Sequence, residues 1–375
     1  VTALPQEPMS HADPDRRFMR RALRLARRGL GRSSPNPAVG AVVVRQGQVV
    51  GQGYHARAGT PHAEVHALAA AGELARGATL YVTLEPCHHQ GRTPPCTRAI
   101  LEAGIARVVY GATDPNPRVE GGGGAWLAAQ GLEVTAGVLE EDCAWEHRFF
   151  FTHVTLGRPH VILKTAATLD GRTATRSGHS RWVTGEAARR YVHRLRSWCD
   201  AICVGIGTAL ADDPRLTCRL PGGRNPLRVV VDTNLRLPPT ARVLDPDSPP
   251  GCLVACGPRP PARRRRALEA AGAEVLPLPR AGGGVDLAAL AAELGRRGVT
   301  SLLLEGGAEL AWGFLSRGLV DEVAYFFAPK LVGGGQAPGM IGGRGVARMD
   351  QAIALERPRL RRLGDDILLQ ARVRR

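Results

Sequence analysis

Strand-like and helix-like patterns alternate along almost the whole 375-residue chain, and they do so in two separate runs. The first run opens with a basic helix over 16–30 that carries Phe18, Ala22, Leu25 and Ala26 on one face. A hairpin over 41–55 follows, two apolar strands around Gln46-Gly47-Gln48. Then come helix 62–75, strand 79–84, helix 96–103, strand 106–111, helix 123–130, strand 132–138 and helix 140–151. Gly157-Arg158-Pro159 interrupts the pattern. The second run has strands at 160–166, 201–206, 227–232, 252–256, 273–277, 300–304, 321–327 and 366–373. Its helices fall at 185–198, 261–271, 286–297 and 308–317, and a long loop with Pro214 and Pro221 follows strand 201–206. Such alternation predicts an α/β fold, a mainly parallel sheet covered by helices, in each run. The length suits two domains that each bury a core, divided as 1–152 and 153–375. "RAGGGVD" and "VGGGQAPGMIGGRG" read as Gly-rich surface loops.

Composition narrows the function. The formal net charge is +16, yet only two of the basic residues are lysines, Lys164 and Lys330. The arginines are scattered, which fits Arg on solvated faces better than a nucleic-acid surface. Aromatic residues make up 5% of the chain, leaving little surface on which bases could stack. Ligands carrying phosphates would suit the Arg excess. No apolar run approaches the ~18–20 residues that span a bilayer. No apolar signal core stands near the start, so a cytoplasmic protein is expected. Disulfides are then not expected, and six of the eight Cys (143, 199, 203, 218, 252 and 256) sit in apolar or helical surroundings as core thiols.

The other two Cys belong to a polar constellation. His62 and Glu64 open a helix, Cys87 follows strand 79–84 through Glu85-Pro86, and Cys96 starts the next helix after Pro94-Pro95. Three N/S ligands with a fourth position open are the pattern of a catalytic Zn²⁺ site. A metal bound there acidifies water, and Glu64, not itself a ligand, is placed to move the protons. The order H-x-E, then P-C, then C is the mark of zinc deaminases acting on bases, although eight residues rather than two separate these Cys. His66, His88 and His89 are rival ligands; His66, four residues from His62, is read as lining or supporting the site.

With "PHAEVHA", "TLEPC", "GRTPPC", "PNPAVG" (35–40) and "DPNPRVEGGG" in order, the first half resembles the deaminase domain of the bifunctional riboflavin-biosynthesis deaminase–reductase family, including its wide Cys spacing. The resemblance implies a cytidine-deaminase-like three-layer domain. It implies that Asn36, His55, Arg92, Asp114 and Asn116 contact substrate and that the loop "HHQGRTPP" shapes the pocket. The chain departs from the family at His88, where Ser is usual, and at Gly122 or Gly124, where a bulkier residue is usual.

In the second half, "GIGTALADDPRLTCR" (205–219) places Thr208 and Asp212-Asp213 in a loop after a strand. "LLLEGGAELAWGFL" (302–315) reads as strand, Gly-Gly turn and helix, a generic phosphate cradle without the G-x-G-x-x-G fingerprint. Together with "LK…LDGR" and "SGHSRWVT", these segments resemble the reductase domain of the same family, which implies a dihydrofolate-reductase-like fold and NADPH. By that resemblance Ala166, Trp182, Thr208, Asp212, Thr233 and the run Gly307, Ala308, Glu309, Leu310, Ala311, Trp312 and Gly313 hold the dinucleotide. Lys164, Ser180, Arg196, Leu216, Arg219 and Glu305 face substrate. "SGHS" stands where "SGES" is common, and the segment 218–226 is short.

The expected enzyme deaminates a phosphoribosylaminopyrimidine with Zn²⁺ and reduces its ribosyl group to ribityl with NADPH, as a homo-oligomer, with no nucleic acid and no membrane. Two rivals stay open. A tRNA or nucleoside deaminase would have the shorter Cys spacing and no reductase half. A deaminase with a C-terminal scaffold would bind no NADPH.

Overall fold

Asp13 and Pro14 start the first helix. The Asp13 carboxylate accepts from the Asp15 N–H at 3.0 Å, and Pro14 takes the first helical position, where a missing N–H costs nothing. Helix α1 therefore spans Pro14–Ala26 rather than 16–30. The computed structural model describes residues 13–89, 94–116 and 122–374. It divides into two compact units, Val1–Leu156 and Gly157–Arg375. Among the described residues no helix is long and apolar enough to cross a membrane.

In the first unit α1 is followed by β1 (Gly40–Arg45), β2 (Gln48–Tyr54), α2 (Ala63–Ala71), β3 (Thr79–Leu84), α3 (Cys96–Glu102), β4 (Arg107–Ala112), α4 (Gly123–Ala129), β5 (Glu133–Thr135), α5 (Glu140–Glu146) and α6 (Arg148–Leu156). The sheet order is β2-β1-β3-β4-β5. It is mixed rather than mainly parallel: β1 is antiparallel to both β2 and β3, while β3, β4 and β5 run parallel. The cause is the β1–β2 hairpin, whose turn residues Gln46 and Gly47 both take positive φ, 49° and 74°. Side chains alternate across a sheet, so neighbouring residues report opposite faces. A Cβ on Gly40 would strike the backbone of α1, and one on Gly53, which pairs with Ala41, would strike α2. Helices thus cover both faces, giving three layers. Gly53 also lets α2 lie directly on β2, which fixes where its N-terminus emerges.

The helix expected over 140–151 is two helices, broken at His147. That ring is fully buried with Nε2 3.1 Å from Thr83 Oγ1, and burial holds its pKa down to about 4.

The second unit contains β6 (His160–Thr168), α7 (Glu186–Trp198), β7 (Ala201–Gly205), α8 (Ile206–Asp212), β8 (Leu227–Val231), β9 (Cys252–Cys256), α9 (Ala262–Ala270), β10 (Ala273–Pro277), β11 (Arg280–Ala281), β12 (Gly284–Val285), α10 (Leu287–Arg296), β13 (Ser301–Leu304), α11 (Ala308–Leu315), β14 (Glu322–Ala328), β15 (Leu355–Leu363) and β16 (Asp366–Val373). The large sheet has the order β10-β9-β8-β7-β13-β6-β14-β16-β15. It is parallel from β10 through β14, and β16 and β15 close it antiparallel. Strands buried on both faces, such as "AICVG" and "CLVAC", are continuous apolar runs, as a covered parallel sheet requires. Three sequence expectations change here. Residues 206–212, expected as loop, form α8. "RAGGGVD" is the β11–β12 hairpin. Strand β15 has both faces largely exposed, so it offers no apolar alternation to read.

Candidate active sites

In the first unit the site gathers where α2 and α3 begin and β3 ends. His62 is the N-cap of α2 with extended backbone, and Glu64 lies in the first turn, 4% exposed. Cys96 opens α3 after Pro95, and its N–H donates to Cys87 Sγ at 3.4 Å. His62 Nδ1 is 3.2 Å from Cys96 Sγ and 3.6 Å from Cys87 Sγ. The three donor atoms lie within 4.8 Å of one another. Tetrahedral zinc, with Zn–N of about 2.0 Å and Zn–S of about 2.3 Å, asks for ligand atoms roughly 3.5–3.8 Å apart, so the set fits the ion. The electrostatics agree. The Cys96 thiol, hydrogen-bonded to Cys87, holds Cys87 down to about 4, aided by His62. The Cys87 thiolate and burial push Cys96 far above its ordinary range. Two sulfurs this close both ionise only when a cation binds both. The hydrogen bond with Cys87 raises His62. Burial pushes Glu64 up to about 7, the negative Cys87 adds to this, and His62 opposes it.

A cavity of about 470 Å³ opens onto this cluster. Asn36, His55, His62, Glu64, Cys87, Asp114 and Asn116 line it, while Cys96 is buried beneath. Arg92 lies outside the described residues. Asn36 Nδ2 is 3.2 Å from His55 Nε2, and His55 Nδ1 is 3.2 Å from the Pro61 carbonyl. Nδ1–H donating to the carbonyl leaves Nε2 to accept from Asn36, and burial lowers the ring's pKa. Glu85 belongs to the site as well. This buried carboxylate accepts from the Asp114 N–H at 3.2 Å and the Gly124 N–H at 2.9 Å, so it aims the 114–116 segment. Its signal was there, an acidic residue directly before Pro86-Cys87. It also accounts for Gly122, where a Cβ would stand 2.9 Å from Glu85 Oε1. Of the rival ligands, His66 is exposed and does not line the cavity; its Cβ lies over Gly53 of β2. His88 stacks on Trp126 at 4.4 Å and pairs with Thr97 at 3.1 Å. His89 lines the cavity.

The second unit has a larger cavity, about 890 Å³, at the C-terminal ends of β6, β13 and β7. Lys164, Ala166, Ser180, Trp182, Arg196, Thr208, Asp212, Leu216, Arg219, Glu305, Gly307, Ala308 and Ala311 all line it. Glu305, its side chain 8% exposed, accepts from Arg196 Nε at 2.8 Å and Nη2 at 2.9 Å, with Lys164 Nζ at 3.7 Å. Burial alone would raise Glu305, but Arg196 and Lys164 hold it down to about 2. Arg196 and Lys164 meet on Glu305, and with Arg189, Arg190 and Arg219 also in the lining, against Glu186, Asp212 and Glu305, the cavity is net positive. His193, absent from the sequence reading, lines it too, with Nε2 3.2 Å from Arg219 Nε. Burial and the flanking Arg196 and Arg219 lower His193 to about 4. Gly306 and Gly307 have φ of 109° and 78°, and a Cβ on Gly307 would press on Thr208 Oγ1 at 3.3 Å. Gly306, Gly307 and Ala308, at the start of α11, line the cavity with backbone that carries little side chain. Thr233, Glu309, Leu310, Trp312 and Gly313 lie outside its lining. Helical rotation explains three of them: Glu309 accepts from the Gly343 N–H, Leu310 packs at Gly205, and Gly313 packs at Leu287.

Comparisons with known proteins match both units. Residues 12–112 match the family described as cytidine and deoxycytidylate deaminase zinc-binding region, and residues 159–369 match the RibD C-terminal domain. The chain is 43% identical over 352 residues to the riboflavin biosynthesis protein RibD of Actinobacillus pleuropneumoniae, covering 94% of this chain and 93% of that one. It is 40% identical over 368 residues to the RibD of Escherichia coli, covering 95% and 98%. A crystal structure titled as a diaminohydroxyphosphoribosylaminopyrimidine deaminase/5-amino-6-(5-phosphoribosylamino)uracil reductase from Thermotoga maritima superposes with a TM-score of 0.84 at 37% identity, covering 97% of this chain and all of that one. Acinetobacter baumannii RibD gives 0.82 at 38%, covering 97% of this chain and 100% of that one. A zinc-binding deaminase unit and a reductase unit joined in one chain, matched end to end by these relatives, make this protein a member of the RibD family of bifunctional deaminase–reductases of riboflavin biosynthesis.

Proposed function

We propose that the first unit removes the 2-amino group of 2,5-diamino-6-(5-phosphoribosylamino)pyrimidin-4(3H)-one as ammonia, and that the second reduces the ribosyl group of the product to ribityl with NADPH. The observation that carries this is the pairing of a buried carboxyl beside a three-ligand metal cluster with a separate, cation-lined cavity ending in a glycine cradle. Zinc held by His62, Cys87 and Cys96 supplies Lewis acidity that lets water ionise near neutral pH. Glu64 takes a proton from the attacking water and gives it to the ring nitrogen, then takes the proton of the newly formed hydroxyl and gives it to the amine, which leaves as ammonia as the carbonyl forms. A carboxyl raised to about 7 suits a group that must both accept and return a proton. Asn36, His55, Asp114 and Asn116 orient the pyrimidine and ribose.

In the second unit NADPH supplies the hydride, delivered to C1′ of the ribose in its open, imine-like form. Gly306 and Gly307 would hold the pyrophosphate, and Trp182 would hold the nicotinamide end. Arg219 holds the substrate phosphate, and Arg196, whose fork is on Glu305, adds positive charge beside it. Glu305 fixes Arg196 and Lys164 in place. The ligand is a phosphorylated small molecule rather than a nucleic acid.

The test uses purified, zinc-loaded protein with the diamino substrate and NADPH, following ammonia and NADPH separately. Ammonia release followed by NADPH oxidation is the expected result. Ammonia without oxidation, even when the deaminated intermediate is supplied, would make the second unit a scaffold.

A further inference from the structure

Helix α7 turns Arg189, His193 and Arg196, at i, i+4 and i+7, toward the reductase cavity, and all of them line it. The segment 216–219 is strapped to that face residue by residue. The Thr217 carbonyl accepts from Arg196 Nη1 at 3.0 Å. The Cys218 thiol donates to the His193 carbonyl at 3.3 Å. Arg219 then folds over the His193 ring, its backbone N 3.3 Å from Nδ1 and its Nε 3.2 Å from Nε2. Leu216, buried with φ of 56°, turns the chain onto this path. A neutral imidazole accepts at one nitrogen at a time and an imidazolium at neither, so the clamp on Arg219 needs an unprotonated ring. Burial, Arg196 and Arg219 itself supply that condition by holding His193 down to about 4.

The charges around Arg219 explain why a neutral partner stands there. Burial, then the like charges of Arg196, Arg242 and Arg215, lower the pKa of Arg219, and Glu305 opposes them. The Glu305 carboxylate is itself gripped by Arg196. A carboxylate in place of His193 would hold Arg219 more strongly, but it would also neutralise the guanidinium and compete with an anionic ligand. An imidazole holds the guanidinium by Nε and leaves its charge in place. With Nε engaged, the edge formed by Nη1 and Nη2 is the one that takes two oxygens of a phosphate. Arg219 is an exposed arginine that lines the cavity, and a long side chain of that kind gives up rotamer freedom when it binds an ion. The His193 ring restricts that freedom beforehand, which is preorganisation for the phosphate.

We propose that His193 is a positioning residue of the reductase: it holds Arg219 in the geometry that grips the substrate phosphate while leaving the arginine's charge intact. The proposal rests on the reading of Arg219 as the phosphate partner. Its test uses the full, zinc-loaded chain and follows NADPH oxidation on the deaminated intermediate and on its dephosphorylated counterpart. Wild-type protein is expected to prefer the phosphorylated form on the order of 10²-fold in kcat/KM, and Arg219→Ala to lose most of that preference. His193→Ala should raise KM for the phosphorylated form about 10-fold, while kcat, KM for NADPH and kcat/KM for the dephosphorylated form change by less than about twofold. His193→Gln, whose amide oxygen accepts from Nε, should recover part of the loss. His193→Glu should not, although its carboxylate bonds Arg219 more tightly. In an Arg219→Ala background, His193→Ala should lower activity no further. KM for NADPH also checks that each variant is folded. An unchanged KM in His193→Ala, equal losses on both substrates, or a loss that adds to that of Arg219→Ala would overturn the role of His193. Wild-type protein indifferent to the phosphate, or Arg219→Ala that keeps the preference, would instead overturn the phosphate reading of Arg219.

Discussion

Glu64 and Glu305 are the same side chain in two different environments. Both are withdrawn from water, at 4% exposure for Glu64 and 8% for the side chain of Glu305. Glu64 is raised to about 7, because burial meets a negative sulfur and only a weak opposing charge from His62. Glu305 is held to about 2, because Arg196 grips both of its oxygens and Lys164 stands near, outweighing burial. Desolvation sets the cost of charge in each unit, and the neighbours decide whether the cost is met. The first unit thus keeps a carboxyl able to exchange protons. The second keeps an anion that holds Arg196 and Lys164 in place.

Stripping zinc should separate the two units most sharply. Chelation is expected to lower ammonia release on the order of 10³-fold or more, while NADPH oxidation on supplied deaminated intermediate stays unchanged. Equal loss in both assays would tie the two chemistries together. Glu305→Gln strikes the other unit. It leaves Arg196 and Lys164 without their shared anion, and should cost roughly 3 kcal/mol of that unit's stability and about 10²-fold in reductase kcat/KM. Denaturant unfolding and steady-state kinetics would check both, and Glu305→Asp should recover part of each.

The pH dependence of stability should differ in sign. Glu64 has a folded pKa raised from 4.5 to about 7, so the folded state binds the extra proton between those values. In chelator-treated protein, the stability of wild type relative to Glu64→Gln should therefore fall as pH rises through that window. Glu305 has a folded pKa lowered from 4.5 to about 2. Its contribution should be complete above about pH 4.5 and be lost as pH falls toward 2. Each swing is at most roughly 3 kcal/mol, and denaturant midpoints across pH would read it. Swings of the same sign would break the comparison. The smallest effect is expected at Lys330, whose Nζ donates to the carbonyls of Trp182 and Val183 at 2.9 and 3.0 Å. Lys330→Met should raise KM for the dinucleotide by a few-fold and change kcat by less than about twofold, since exposed hydrogen bonds contribute about 1 kcal/mol.

The metal cluster was legible in the sequence because its chemistry needs particular residue types in a fixed order at strand and helix ends. His62, Glu64, Cys87 and Cys96 satisfy that need without reference to the rest of the chain. The strand and helix alternation was legible for the same local reason. What escaped was set by contacts distant in sequence. Glu85 acts through the N–H groups of Asp114 and Gly124, far along the chain. His193 matters because Arg219 folds back onto it. His147 breaks a helix whose periodicity runs straight through it, because the ring is drawn to Thr83. The run Gly307–Gly313 was read as one cofactor segment, but helical rotation turns only Gly307, Ala308 and Ala311 toward the cavity.

The most direct measurement is made on zinc-loaded Glu64→Gln, assaying ammonia release from the diamino substrate and NADPH oxidation on supplied deaminated intermediate. Zinc retained, ammonia release reduced by about 10²–10⁴-fold and oxidation undiminished are the expected results. Undiminished ammonia release would contradict the role of Glu64, and a parallel loss of oxidation would contradict the separation of the two sites.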